Sequence, residues 1–242
     1  MQSILFLHGG ALNKEMWAPQ IKELENGFLV HAIDLPGHGH LTGAPFTLKS
    51  AVNEVEKYIA KNISGSVIIV GLSLGGYVAI AYAHRHADRV SKLILSGCCT
   101  QYLGFTGMLA KVSSVLTSTI SNRYFENLQN KLLSRITTKD ILEKICSNGI
   151  SKQGAQESLR EVIGKDFVDM LDHYRGPTLI INGENDTLNR RFENAYLTTD
   201  ANRSLVTLEN CAHICNLENP NAFTSLIYDF ATATATATAT HV

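Results

Sequence analysis

A serine between two glycines is the residue of this chain best placed to act as a nucleophile. Ser73 lies in Gly71-x-Ser73-x-Gly75, after an apolar β-branched run and before a segment rich in alanine and glycine. A serine at such a turn between a strand and a helix is exposed, and the helix N-terminus stabilises negative charge that develops beside it. The pattern therefore predicts a nucleophilic serine rather than a serine that only caps the helix.

A nucleophilic serine needs a base, and the base needs an acid that orients it. Asp186 and His213 each lie in a loop that follows a predicted strand. The carboxyl ends of parallel strands share one edge of a sheet, so we expect both side chains beside Ser73. Glu184 is an alternative acid in the same loop, and the strand around 93–95 is another place for one, but its end offers no carboxylate. We therefore predict Asp186 as the acid and His213 as the base.

Strands and helices alternate in the parts of the chain that carry these residues. The predicted strands are 3–7, 28–33, 67–70, 92–96, 178–182 and 204–208. The main predicted helices are 13–24, 47–63, a helix that starts at Leu74, and 222–230. Parallel strands need crossover helices, so the alternation predicts an α/β fold with a doubly wound, mostly parallel sheet of about six strands.

A helical segment interrupts the alternation and divides the chain. Residues 100–175 contain several helical patterns, of which 156–174 looks the longest, and no strand. They predict a helical cap over the strand ends, inserted between two parts of one core, 1–99 and 176–230. The Ala-Thr repeat predicts a disordered, low-complexity tail over 231–242. Packing is the expected use of most apolar residues in the first cap helix, and contact with substrate is the alternative; these residues are Phe105, Met108, Leu109, Val112 and Leu116.

Composition excludes several classes of protein. The chain has 242 residues, with 21 lysines and arginines against 22 aspartates and glutamates. This balance gives no basic footprint for nucleic acid or for a membrane surface, and no apolar run reaches the length of a membrane span. The first residues are predicted to enter a strand at once, so we expect no secretory leader. Five cysteines without C-x-x-C spacing predict reduced thiols, so we expect a cytoplasmic protein without nucleic-acid or membrane partners.

A zinc site is the alternative reading of the region around the proposed base. Cys211 and Cys215 bracket His213, and all three are valid zinc ligands. A structural zinc site needs a fourth ligand, and no partner motif supplies one. We therefore predict no metal site and interpret Cys211 as a small packed residue.

Several motifs together resemble one known superfamily. They are the elbow around Ser73, the chain order Ser-Asp-His, Phe6-Leu7-His8-Gly9-Gly10 followed by Trp17, Asp34-Leu35-Pro36-Gly37-His38-Gly39, and the run from His213 to Pro220. The chain resembles the α/β-hydrolase fold over residues 3–99 and 176–230. The His-x-x-x-x-Glu-x-Pro ending is similar to small serine esterases, enol-lactonases and cofactor-free perhydrolases. Two departures are an absent antiparallel strand before the first parallel strand and Ala212 in place of a common glycine.

The resemblance implies roles for two loops. It implies an oxyanion hole built from the backbone N–H groups of Gly10 or Ala11 and of Leu74, the residue after the nucleophile. It also implies that His8 holds the oxyanion loop rather than serving as a second base. The second loop contains Asp34, His38 and His40. Aspartate and histidine are possible metal ligands, but the resemblance implies that these residues stabilise the loop.

We therefore expect an enzyme that hydrolyses a small carboxylic ester through an acyl-enzyme, without a cofactor. An enol-lactonase-like enzyme or a carbon–carbon bond hydrolase is the alternative. A lactone substrate that carries a carboxylate predicts a cap arginine pointing into the pocket, such as Arg123, Arg135 or Arg160. A non-catalytic receptor for a small ligand is a third class, and saturable binding without turnover is its mark.

Overall fold

Six parallel strands form one sheet in the computed structural model, which describes residues 1–197 and 202–233. The strands are β1 (Ser3–Leu7), β2 (Leu29–Ile33), β3 (Val67–Leu72), β4 (Val90–Ser96), β5 (Thr178–Gly183) and β6 (Arg203–Leu208). Their order across the sheet is β2-β1-β3-β4-β5-β6, and each neighbouring pair is parallel. The predicted α/β fold with a doubly wound parallel sheet is confirmed.

Helices cover both faces of this sheet because the strands alternate between two apolar cores. Along β1, Leu5 and Leu7 pack in one core with the helices over residues 48–62 and 74–85. Ile4 and Phe6 pack in the other core with Trp17. The helices of the core are α1 (Ala18–Leu24), α2 (Leu48–Asn62), α3 (Leu74–Arg85), α9 (Thr187–Arg190), α10 (Glu193–Tyr196), α11 (Cys215–Glu218) and α12 (Pro220–Thr232). A central strand buried on both faces needs an apolar side chain at every position, which accounts for the continuous run of β1.

Five helices lie between β4 and β5, where the sequence predicts a cap. They are α4 (Gly104–Thr119), α5 (Asn122–Leu133), α6 (Lys139–Ser147), α7 (Lys152–Val162) and α8 (Phe167–Asp172). Helix α8 packs on α3 of the core, where the rings of Phe167 and Tyr77 are 4.6 Å apart. The division of the chain into core and cap stays a prediction.

Two expectations about this region are wrong. The single helix expected over 156–174 is broken into α7 and α8, because Gly164 has a φ of +81° and Asp166 caps the new helix through the amides of Val168 and Asp169. The apolar residues of α4 are not packed. They lie on the outer side of the helix with more than half of their surface exposed, and they are Phe105, Met108, Leu109, Val112 and Leu116. The inner side of α4 carries small residues instead, among them Gly107, Ala110 and Ser114.

The C-terminal end of the described chain differs slightly from expectation. Helix α12 extends to Thr232, so the first two residues of the expected disordered tail are helical. Ala233 caps that helix, and residues 234–242 of the predicted tail lie outside the described residues. Within residues 1–197 and 202–233, no helix combines the length and the apolar character needed to cross a membrane.

Candidate active site

Ser73 occupies a strained turn between β3 and α3. Its φ is +53°, a conformation that costs a non-glycine residue about 1–3 kcal/mol. The neighbouring glycines make the turn possible, because a methyl group at Gly75 would overlap the carbonyl oxygen of Leu7, and one at Gly71 would overlap the carbonyl of Gly75. The Ser73 amide donates to the carbonyl oxygen of Ser96 at the end of β4, over 2.7 Å. The turn is therefore locked against both neighbouring strands.

We expect Gly75→Ala to destabilise the protein by about 2–4 kcal/mol, because the new methyl group meets rigid backbone of β1. Helix propensity alone predicts the opposite sign, since alanine is about 1 kcal/mol better than glycine inside a helix. Urea unfolding of the variant measures the effect. Gly43→Ala is the matched control, since no atom lies within 4 Å of a methyl group there, and its free energy of unfolding should change by less than about 0.5 kcal/mol. A stable Gly75→Ala variant would contradict the close packing of the elbow.

Asp186 and His213 are brought together at the ends of β5 and β6. The distance between Asp186 Oδ2 and His213 Nδ1 is 2.7 Å. The Asp186 side chain is buried, whereas 45% of the His213 side chain is exposed. Burial raises the pKa of Asp186, but the hydrogen bond and charge of His213, with two hydrogen bonds from Asn189, outweigh it and leave the pKa below its ordinary value. The pair has the geometry of a base held by an ionised acid.

Glu218 holds the loop that carries His213. Its carboxylate accepts from the amides of Ala212 and Ile214, one on each side of the histidine. On the other side, Gly97 has a φ of +58° and lies against the His213 ring, where a methyl group would be about 3.0 Å from Cε1. The ring is thus fixed between its own loop and the end of β4.

The end of β4 connects the two parts of the site. Ser96 accepts from the Ser73 amide, and the next residue, Gly97, contacts the His213 ring. Among the described residues no hydrogen bond joins the Ser73 hydroxyl to His213. Such bonds are often long in sites without substrate and tighten when substrate binds.

Asn189 is a site residue that the sequence analysis missed. Its Nδ2 donates to Asp186 Oδ2 over 2.9 Å, and its Oδ1 accepts from both the amide and the hydroxyl of Thr100 at 2.9 Å each. Thr100 in turn accepts, through its carbonyl oxygen, from the hydroxyl of Tyr77. The only available signal is an asparagine three residues after the predicted acid, at the spacing with which an N-terminal cap residue contacts its helix.

The loop after β1 lines the same cavity as Ser73. Ala11 has a φ of +66°, and both Gly10 and Ala11 line the same cavity as Ser73 and Leu74. Leu74 is the first residue of α3, so its N–H has no acceptor within the helix. The residues that were predicted to supply oxyanion donors therefore lie around one space.

His8 ties this loop to the loop after β2. Its Nε2 accepts from the Leu35 amide at 2.9 Å, so Nδ1 carries the proton and donates to the carbonyl oxygen of Gly9 at 2.8 Å. Burial, together with the charge of His38, lowers the pKa of His8 to about 3. Asp34 lies in the same second loop and accepts from the amides of Lys14 and His40.

The buried His8 predicts loss of stability in acid. Its pKa in the folded state is below its unfolded value of 6.5, so the unfolded state binds more protons below that pH. We expect the free energy of unfolding to fall as the pH drops below 6.5, with His8 contributing up to about 1.4 kcal/mol per pH unit. Urea unfolding as a function of pH measures this slope. His8→Gln keeps one donor and one acceptor without titrating, so its slope should be shallower; equal slopes would contradict the assignment.

The cavity beside Ser73 has a volume of about 300 Å³. Its core wall consists of Gly10, Ala11, Ser73, Leu74 and Tyr77, and its cap wall includes Ser114, Thr117, Phe125, Gln129, Gln156, Ser158, Leu159 and Val162. All of its lining residues are uncharged. The arginines suggested for a carboxylate, Arg123, Arg135 and Arg160, are exposed and do not line it.

Comparisons with known proteins agree with this architecture. The sequence profile of the Alpha/beta hydrolase family matches residues 4–226. The chain is 27% identical to a pimeloyl-[acyl-carrier protein] methyl ester esterase of Nitrosospira multiformis, over 94% of each chain. It is similar to the enol-lactonase of Burkholderia xenovorans (TM-score 0.77, 25% identity, 96% of this chain and 92% of the other). A thermophilic esterase from Thermogutta terrifontis shares the fold (TM-score 0.80, 22% identity, 96% and 89%). The chain therefore belongs to the Alpha/beta hydrolase family, within which it is an esterase-like enzyme.

Proposed function

We propose that this enzyme hydrolyses a small carboxylic ester through an acyl-enzyme on Ser73, with His213 as base and Asp186 as the orienting acid. The observation that carries the proposal is the 2.7 Å contact between Asp186 and His213 at the sheet edge where Ser73 lines a cavity. The strained φ of Ser73 supports the same role, because such strain concentrates at functional positions.

The proposed reaction follows from the tautomer of His213. The Nδ1–H of His213 donates to Asp186 Oδ2, which leaves Nε2 free to take the proton from the Ser73 hydroxyl as the serine oxygen attacks the ester carbonyl. The N–H of Leu74 and that of Gly10 or Ala11 hold the oxyanion, and each such donor is worth about 10²–10³ in kcat. His213 then returns the proton to the departing alcohol and activates the water that hydrolyses the acyl-enzyme.

The cavity lining supports a neutral acyl group. An ionised group loses its hydration in a cavity of this kind, and the lining has no cation to compensate. The names of the curated relatives suggest that methyl esters should be tested first. We therefore propose an uncharged acyl group esterified to a small alcohol.

A p-nitrophenyl ester series from acetate to decanoate tests this function. We expect an optimum at one chain length, because the acyl group must fit a cavity of about 300 Å³. We also expect a fluorophosphonate to add once to the protein and to abolish turnover, with the modified peptide containing Ser73. A folded protein that hydrolyses no member of the series and does not react with the fluorophosphonate would contradict the proposal.

A lactonase is the second candidate, because the enol-lactonase of Burkholderia xenovorans has a similar fold at 25% identity. The uncharged lining does not favour a lactone that carries a carboxylate. Hydrolysis of such a lactone faster than of neutral esters, lost on substitution of Arg123 or Arg160, would favour this candidate over the esterase.

A further inference from the structure

Two polar atoms on the cap wall of the cavity have no hydrogen-bond partner. They are Ser114 Oγ on α4 and Gln156 Nε2 on α7, and both atoms are buried. The Ser114 residue is 97% buried, since only 3% of its surface is exposed. Both residues line the cavity that also contains Ser73. Neither atom has an acceptor or donor among the residues that the structure describes.

Neighbouring hydroxyl groups behave differently, so the isolation of Ser114 is not a general property of cap helices. Thr117 donates to the carbonyl oxygen of Ser113 at 2.8 Å, and Ser158 donates to that of Ala155 at 3.0 Å. Such local bonds to the helix backbone are the usual way for a buried serine or threonine to be satisfied. Ser114 lacks one although it lies on the same helix as Thr117, and a buried polar group without a partner is costly.

The two unpartnered atoms and the proposed nucleophile belong to residues that line the same cavity. Ser73 belongs to the core wall of the cavity, whereas Ser114 and Gln156 belong to two cap helices that pack against each other. An acyl group attached to Ser73 that fills the cavity therefore extends toward the cap wall. The part of the substrate that meets these atoms is the part of the acyl group remote from the reacting carbonyl.

We propose that Ser114 and Gln156 form a specificity subsite that binds a neutral hydrogen-bond acceptor, such as a ketone, ester or amide oxygen, within the acyl group of the substrate. The amide nitrogen of Gln156 is a donor only, and the hydroxyl of Ser114 can donate as well, so the complementary group is an acceptor. A carboxylate is excluded as the preferred ligand, because none of the lining residues is cationic. The inference rests on the proposed function and specifies its substrate class.

Matched substrate pairs test the subsite in the intact enzyme. We would compare p-nitrophenyl esters of oxo-acids, with the ketone moved stepwise along the chain, with methyl-branched alkyl esters of the same length and shape. At one ketone position, kcat/KM should exceed that of the alkyl partner by about 10-fold or more, because a buried donor rejects a ligand that cannot pair with it. The corresponding carboxylate should be poorer than the ketone.

Substitutions then assign the preference to these residues. In the Ser114→Ala/Gln156→Leu double variant, the ratio of the two kcat/KM values should fall about 10-fold, toward one. Ser113→Ala/Gln153→Leu is the matched control, since both residues are exposed neighbours on the same two helices outside the lining, and its ratio should not change. The Tm of the Ser114→Ala/Gln156→Leu variant should not fall, because it removes unpartnered polar atoms, whereas a structural role predicts a lower Tm.

Two outcomes would overturn the subsite. One is equal kcat/KM for ketone and alkyl esters at every position while both series are hydrolysed. The other is a preference for the ketone that the Ser114→Ala/Gln156→Leu variant keeps. Absence of any hydrolysis would instead contradict the proposed function, and the subsite would then be tested by calorimetric binding of the same pairs. Binding of the ketone about 10-fold tighter than its alkyl partner would support the subsite, and equal binding would overturn it.

Discussion

Ser73→Ala is expected to lower kcat for p-nitrophenyl ester hydrolysis by about 10⁴–10⁶-fold, because the variant has no atom that can form the acyl-enzyme. Residual turnover should come from the cavity and the oxyanion donors alone, which act without the nucleophile. Steady-state kinetics at the optimal chain length measure the effect, and intact-mass analysis should show no fluorophosphonate adduct on the variant. A loss of less than about 10-fold would exclude Ser73 as the nucleophile.

The same position allows a test that separates catalysis from folding. The φ of Ser73, +53°, is unfavourable for alanine as well as for serine, but glycine adopts it freely. Ser73→Gly should therefore be more stable than Ser73→Ala. The difference in the free energy of unfolding, measured with urea, should be about 1 kcal/mol after the greater freedom of glycine in the unfolded chain is subtracted. Both variants should be equally inactive. Equal stability of the two would contradict the view that the elbow stores strain to present the hydroxyl.

The sheet was predictable because its signals are local. The central strands carry apolar runs, such as 4–7 and 67–70, that are bounded by polar or turn residues, and the elbow of Ser73 needs a glycine where a methyl group would strike β1. The carboxyl ends of parallel strands share one edge of the sheet, which is why the sequence predicts Asp186 and His213 beside each other, as they are in the structure. Their catalytic roles stay predictions.

The cap was less predictable because its helices have two different environments, the cavity on one side and solvent on the other. An apolar stripe on α4 predicts burial by the usual pattern of amphipathic helices, but Met108, Val112 and Leu116 face outward while Ser114 faces the cavity. The spacing of apolar residues predicts which of them share one face of a helix. It does not predict whether that face packs on the protein or lies in solvent. The break between α7 and α8 was missed for a related reason, since Gly164 inside a helical pattern is compatible with either continuation or a stop.

Asn189 is expected to determine how strongly a substitution of Asp186, the proposed acid, lowers kcat. Substitution of a triad aspartate by asparagine commonly costs about 10⁴-fold in kcat, because the amide nitrogen turns the histidine into the wrong tautomer. In this protein Asn189 Oδ1 already accepts twice from Thr100, so its Nδ2 must be the atom that faces Asp186 Oδ2. Two donors therefore converge on Oδ2, namely Asn189 Nδ2 at 2.9 Å and His213 Nδ1 at 2.7 Å. An amide placed at 186 should turn its oxygen toward them.

We therefore expect Asp186→Asn to keep the productive tautomer of His213 and to lose the charge of the acid together with the weak bond that Oδ1 accepts from the Asn189 amide at 3.4 Å. The single variant should lower kcat by roughly 10–10²-fold, the equivalent of one charge-assisted hydrogen bond. Adding Asn189→Leu removes the donor that orients the amide, so the double variant should fall by about 10⁴-fold. Asn189→Leu alone keeps the carboxylate and should cost less than about 10-fold, which makes the two substitutions strongly non-additive. Steady-state kinetics of the four proteins measure the cycle, and additive losses would show that Asn189 does not orient the acid.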